Sequence, residues 1–424
     1  MAEVRPFRAL RFNTEKAGKI DELVCPPYDI ISEQQRLDFL SKNPNNIIRL
    51  ELPKGDTPYE DAAATLKKFI DSGVLVRDDK EAVYIYEEEF SVNGIHASVK
   101  GCIVRVRLEE FSKGVVLPHE ETLSKAKQDR FNLMKATNCN FSQIYSLYMD
   151  EEHKTSRRLD ELTKGAPAAE LADNDGTIHR LWIITDKEQT EAICGDFADR
   201  KLYIADGHHR YETALNYRNY CRENNTGNGA EDYIMMMLVD MEHEGLVVLP
   251  THRIVRDLPE FDEEKMLESC KEYFELTKES DINTAETKLK ALYDEGKKAF
   301  AFYSGGEGYT MMVLKDISVM SKLLPEKSDA TRQLDVSVLH TLVLEKIFGI
   351  DRANMAAQIN LTYTKFFDEA VSSVQEKKAQ CAFILNPTRV TEIRDVAAAG
   401  EKMPQKSTYF YPKLITGLVM NELS

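Results

Sequence analysis

Two runs of β-branched and aromatic residues, AVYIYEEEF over 82–90 and IHASVKGCIVRVRL over 95–108, meet at Asn93-Gly94. Asn-Gly between such runs is the strongest short signal for a two-residue hairpin, because both turn residues must take positive φ. Upstream, 32–39 and 59–71 carry helical spacing, and the second ends near Gly73 as a helix C-terminus should. Downstream, 115–118 reads as a short strand and 122–136 as a helix with Thr122 available as its cap.

Strand-like runs at 180–185, 201–205, 233–239 and 246–249 then alternate with helical spacing at 187–197 and 208–222. That alternation is the mark of an α/β layer. The Gly- and Asn-rich stretch 224–232 reads as a loop. Past about Asp257 the pattern changes to longer helices (263–276, 284–295, 334–347) with a hairpin near 305–308. The spacing therefore predicts an α/β protein, α+β overall, in three regions. These are an N-terminal α+β region with the hairpin (1–114), a core (115–256) and a C-terminal α+β region (257–424). The tail of the last, 403–418, mixes Pro, Lys and aromatics and is expected to be ordered and to return to the site.

A chain of 424 residues exceeds what one hydrophobic core usually supports, which agrees with several domains. With 42% hydrophobic and 30% charged residues, wholesale disorder is not expected. Its 71 acidic against 55 basic side chains give a net charge of −16, which repels a phosphodiester backbone and offers nothing to an anionic membrane. Neither nucleic acid nor membrane is expected as a partner; a second copy of the chain, as a homodimer, is considered. The opening MAEVRPFRALRFN contains no signal-peptide core, so the cytoplasm is the expected location. Seven scattered cysteines, with no CxxC, read as reduced thiols.

The candidate chemistry centres on LYIADGHHRYETAL. An apolar strand ends in Asp206, Gly207 follows, and a helix begins at once. First-turn amides have no intrahelical acceptor and the helix dipole is positive there, so a phosphate is favoured; Gly207 permits close backbone approach. His208, His209 and Arg210 add donors, Arg210 in bidentate form. The plain alternative is a solvated surface turn. Another is a metal held by Asp206, His208 and His209, but adjacent helical residues point about 100° apart, which places the two imidazoles poorly around one ion. Phosphate ranks first, with Asp206 kept as a metal or histidine partner.

Asp206-Gly207-His208-His209-Arg210 resembles the phosphate-binding turn of the ParB and sulfiredoxin superfamily, which implies a nucleotide-handling core. The ordered set Pro118-His119-Glu120, Asp206-Gly207-His208-His209-Arg210 and Pro404-Gln405-Lys406-Ser407-Thr408 is similar to the motif set of the archaeal ADP-dependent free-serine kinases. Over nearly its whole length the chain also resembles the group catalogued as domain of unknown function 1015. That match is carried by residues 5–8 (RPFR), 26–29 (PPYD), 119–122 (HEET), Asp129-Arg130, 249–253 (LPTHR) and 406–410 (KSTYF).

The kinase resemblance implies a small-molecule kinase acting on a hydroxylated metabolite, free L-serine first, with Mg²⁺ and ATP or ADP, so that a nucleotide and that metabolite are its partners. Glu120 would be the base, with Asp206 and His208 beside it in the chemistry. Gly207, His208, His209 and Arg210 would bind the phosphates, and Lys406, Ser407 and Thr408 would close over them. The substrate would be met by His119, Arg130, His252 and Arg253. The simpler readings are that Glu120 and Glu121 complement a helix dipole, that the aromatics after Thr408 merely anchor the tail, and that only one of Lys125, Lys127 and Arg130 faces a cleft. The kinases are shorter, residues up to about 114 and from 257 to 402 have no counterpart in them, and Gln405 interrupts their Pro-Lys junction. Two further classes stay open: a nucleotide-binding regulator without turnover, and a phosphate-ester hydrolase in which Glu120 activates water.

Overall fold

The computed structural model describes residues 1–120, 122 and 124–423, with only the backbone described at 124 and 125. Glu121 and the side chain of Lys125, both weighed above, lie outside the described residues. The chain forms two compact units, 1–118 with 122–247 and 412–424, and 119–121 with 248–411. No helix among the described residues is long and apolar enough to cross a membrane.

The first unit is organised by a nine-stranded mixed sheet in the order Val116–Leu117, Leu202–Asp206, Ile144–Tyr148, Tyr233–Asp240, Ile95–Arg107, Val83–Val92, Ile178–Ile184, Ala169–Ala172, with Val4–Arg5 also paired to Ile95–Arg107. The expected hairpin lies at its centre. Its turn residues Asn93 and Gly94 have φ of 49° and 76°, both left-handed as a type I′ turn requires. Two of its pairings are parallel, Leu202–Asp206 with Val116–Leu117 and Tyr233–Asp240 with Ile144–Tyr148. Helix His208–Asn224 buries Tyr211, Ala214, Leu215, Tyr217 and Cys221 in the core under this sheet. It packs on helix Ser124–Thr137, where Phe131 meets Tyr220 edge-on at 5.8 Å.

Thr122 sends its hydroxyl to Glu212 Oε2 at 2.7 Å. The chain end also belongs to this unit: Asn421 and Glu422 pair with Asn140 and Cys139, Met420 bridges to Leu10, and Thr416 to Cys25.

The second unit carries a six-stranded sheet, antiparallel throughout, in the order Phe274–Glu279, Tyr309–Leu314, Ala299–Tyr303, Cys381–Ile384, His252–Val255, Leu361–Thr364. Helices Ala285–Asp294 and Phe367–Gln375 bury Ala285, Leu289, Ala370, Val371 and Val374 against it. The helix expected over 263–276 stops at Cys270, and Phe274–Glu279 is a strand paired with Leu314 through Tyr309. Strand pairing overrides local propensity there. The helix expected over 334–347 is α over Asp335–Val338 and π over Leu339–Glu345.

Candidate functional site

In the first unit, the strand Leu202–Asp206 delivers Asp206 through an irregularity. Ile204 pairs with Ser146 and Asp206 with Tyr145, so the register shifts between them. Such a bulge re-aims the side chain at the strand's end. Gly207 follows with φ of 96°, and the helix His208–Asn224 starts immediately. A Cβ at Gly207 would lie 2.9 Å from Arg210 Nη2 and 3.0 Å from Nε, because the guanidinium folds back over the turn. Glycine is therefore required twice over, by dihedral and by space.

Asp206 is tied by both oxygens. Arg210 Nη2 donates to Oδ2 at 2.7 Å, and Lys413 Nζ donates to Oδ1. Burial alone would raise its pKa, yet Lys413 and Arg210, with His208 nearby, hold its carboxyl well below the usual range. Arg210 also donates from Nη1 to the carbonyl of Gln143. Arg210 is thus a brace of the turn, and Asp206 a carboxylate shared between two cations.

Arg130, buried on the helix Ser124–Thr137, donates to the carbonyl of Glu51 at 2.7 Å and to Asp129 Oδ2 at 2.6 and 2.9 Å, and stacks 4.1 Å from the Tyr28 ring centroid. Glu51 beside it accepts from Ser142 Oγ at 3.0 Å; burial raises its pKa, opposed by Arg130 and Arg210.

In the second unit, His119 and Glu120 are held by the late segment. Met403 donates its amide to the carbonyl of His119 at 2.7 Å, His119 Nε2 lies 2.9 Å from Thr408 Oγ1, and the amide of Lys406 donates to Glu120 Oε1 at 2.9 Å. Lys406 has φ of 57°, which turns that amide toward the carboxylate. No described group donates to Glu120 Oε2. Ser407 is buried, with its hydroxyl on the carbonyl of Pro404 and its own carbonyl accepting from Thr388 Oγ1.

Arg253 is fully buried on the strand His252–Val255. It donates to His340 Nε2 from Nε at 3.3 Å and from Nη2 at 3.2 Å, to the carbonyl of Lys406 at 3.1 Å, and to the carbonyl of Thr251. Burial lowers its pKa to about 10, against the pull of Tyr363 and Glu120. His252 accepts from the amide of Leu385 at its Nδ1, while its buried Nε2 meets no partner; burial and then Arg253 bring its pKa down to about 3.

The sequence profile of one family, Protein of unknown function (DUF1015), matches residues 4–337. The chain belongs to the DUF1015 family. No curated protein matches this DUF1015 sequence. Among solved structures it is similar to a conserved hypothetical protein from Pyrococcus furiosus, with 15% identity over 76% of this chain and 95% of that one and a TM-score of 0.37. It is also similar to a mutant free serine kinase in complex with ADP (14%, 74% and 92%, TM-score 0.37) and to SbnI with C-terminal truncation from Staphylococcus aureus (12%, 75% and 86%, TM-score 0.36). All are distant likenesses.

Within this DUF1015 chain the sequence-derived residues fall into two sets. Asp206, Gly207, His208, His209, Arg210 and Arg130 belong to the first unit; His119, Glu120, His252, Arg253, Lys406, Ser407 and Thr408 belong to the second. Three participants were not expected: Lys413, Glu51 and His340. Lys413 stands in the tail the sequence marks as unusual, but its partner Asp206 is 207 positions away. No group of three or more His, Cys, Asp or Glu suited to a metal ion occurs among the described residues, and each oxygen of Asp206 already meets a cation.

Proposed function

We propose that this protein is a small-molecule kinase that moves a phosphoryl group from ATP or ADP to the hydroxyl of a small metabolite, free L-serine being the first candidate. The observation that carries the reading is the state of Glu120. One oxygen is fixed by the Lys406 amide and the other accepts from no described group, so a positioned carboxylate has one lone-pair face open to a substrate hydroxyl. The motif set Pro-His-Glu, Asp-Gly-His-His-Arg and Lys-Ser-Thr supports the same reaction class.

In the reaction, the acceptor oxygen forms a bond to the terminal phosphorus and its proton passes to Glu120 Oε2. The bond from phosphorus to the bridging oxygen breaks, and the nucleotide leaves with that electron pair. Glu120 is the base in this reading, with the Lys406 to Thr408 segment holding it. The helix N-terminus after Gly207, with the charges of His208, His209 and Arg210, is the phosphate-binding element. Since Asp206 is committed to Lys413 and Arg210, the residues present do not fit a protein-held metal; Mg²⁺ belongs to the proposal as the nucleotide's own counter-ion. The commitment of Arg210 to Asp206 and Gln143 favours one rival, a nucleotide-binding regulator in which the turn is a sensor.

Incubating the protein with Mg²⁺, ATP or ADP and a panel of hydroxylated amino acids including L-serine, followed by phosphorus NMR, tests the reading. A phosphomonoester that needs the acceptor and disappears in Glu120→Gln, with nucleotide protection against melting retained, supports the kinase. Intact nucleotide under every acceptor, with protection retained, supports the sensor instead. Inorganic phosphate released without any acceptor points to a hydrolase.

A further inference from the structure

The second unit contains a cavity of about 140 Å³ that the proposed reaction does not use. Ser337, His340 and Thr341 line it from one face of a single helix, at i, i+3 and i+4. The helix passes from α to π geometry between Ser337 and His340, a widening found mostly as single turns at functional sites. Lys327, Arg352 and Lys402 also line the cavity.

Two buried polar groups on this lining are donors. Ser337 is 2% exposed and its hydroxyl meets no partner. His340 is 6% exposed, and its Nε2 receives both nitrogens of Arg253, so the ring proton resides on Nδ1, for which no described protein group is an acceptor. The acidic residue on the lining, Glu345, lies 3.5 Å from Arg352 Nε. Behind His340 stands Arg253, fully buried, with carbonyls, an imidazole and the Tyr363 ring at 5.3 Å as its surroundings. No carboxylate lies within ion-pair distance of it among the described residues. Glu120 acts on Arg253 only from beyond that distance, so the buried cation is incompletely compensated, and its field polarises His340 so that Nδ1–H becomes a stronger donor.

We propose that this cavity binds a small oxyanion, a carboxylate or a phosphate on a compact and partly apolar body, whose charged group meets Ser337 Oγ–H and His340 Nδ1–H and supplies the counter-charge Arg253 lacks. The body rests against Leu324, Met355 and Met403, which also line the space. An apolar cavity of about 150 Å³ holds benzene, so the occupant has the size of one ring or a short acid. Lys327, Arg352 and Lys402 raise the local anion concentration in a chain whose net charge is −16. Residues 402–405 border the cavity, and Met403 and Lys406 hold His119 and Glu120, so an occupant steadies the segment that fixes Glu120. Binding itself does not depend on the kinase reading.

The full chain with ¹³C-labelled histidine rings gives nine signals to follow, and the His340 signal is the one lost in His340→Gln. Sodium acetate, sodium benzoate and inorganic phosphate are titrated separately at constant ionic strength, with chloride as control. The expected result is a saturable shift of the His340 signal with a carboxylate, with phosphate or with both, complete by roughly 10 mM as a fragment-sized ligand allows, and none with chloride. The responding arm names the anion class. Ser337→Ala abolishes the shift, and Arg352→Gln, at the exposed rim, weakens the affinity about two- to fivefold. A His340 signal unmoved by all three anions overturns the proposal, as does a shift that chloride reproduces or that survives unchanged in both variants.

Discussion

Lys413 closes an ion pair with Asp206 across 207 positions of sequence, joining the late segment of the first unit to the strand end that opens the Asp-Gly-His-His-Arg turn. Its side chain and that of Asp206 are 13% and 18% exposed, so each is the other's main compensation for lost water. The turn is therefore held by three contacts: Lys413 on one oxygen, Arg210 on the other, and Arg210 again on Gln143.

Asp206→Asn strands both Lys413 and Arg210 and is expected to destabilise the protein by about 3 kcal/mol in urea unfolding, whereas Lys413→Met leaves Asp206 its Arg210 partner and should cost less. The double variant should lose less than the sum, with a coupling of about 0.5–3 kcal/mol. Additive losses would show that the pair does not act as a unit. Because the folded Asp206 carboxyl lies below its ordinary value near 3.8, its stabilisation is present above that pH and fades as acid takes it lower.

Gly207→Ala should cost more than the roughly 1–2 kcal/mol of an ordinary residue in the left-handed region, since the new methyl also meets Arg210. Under the kinase proposal, nucleotide protection against melting should fall with it. A variant as stable as the parent would mean the turn relaxes easily.

Glu88 supplies a pH signature. It is fully buried on the strand Val83–Val92, accepts from Tyr86 at 3.1 Å and lies 3.6 Å from His179, and burial raises its pKa from 4.5 to about 7. A carboxyl raised on folding favours the folded state most at low pH. Its contribution declines as pH rises from 4.5 to about 7, by about 3 kcal/mol in all, and is flat above. In Glu88→Gln, stability measured across that window should lose this downward slope.

Lys406 separates backbone from side chain. Its φ of 57° suits glycine, so Lys406→Gly should keep the amide on Glu120 and lose only the ammonium, whereas Lys406→Pro removes the amide. Under the kinase proposal the proline variant loses about 10²-fold in kcat or more, and the glycine variant shows the ammonium's share alone.

The sequence showed the hairpin at Asn93-Gly94 and the strand, turn and helix around Gly207 because each is written in neighbouring residues. The strand Ile144–Tyr148 has no polar alternation, being buried throughout, and so escaped notice. Phe274–Glu279 was hidden because its partner, Tyr309–Leu314, is distant in the chain. The same reason concealed Lys413 beside Asp206 and His340 beside Arg253. Local pattern finds turns and caps; pairs dozens to hundreds of residues apart leave no trace in it.

The return of residues 412–423 to the first unit sets an order of events in the cell. Met420 and Asn421 are partners of Leu10 and Asn140, so the first unit lacks these contacts until the whole second unit has been translated. At about 5–20 residues per second, that is a delay of roughly 10–30 s. Throughout it, the nascent chain exposes apolar surface around Leu10 and Phe141 that Met420 later covers. Chaperone demand during synthesis follows from where residues 412–423 go.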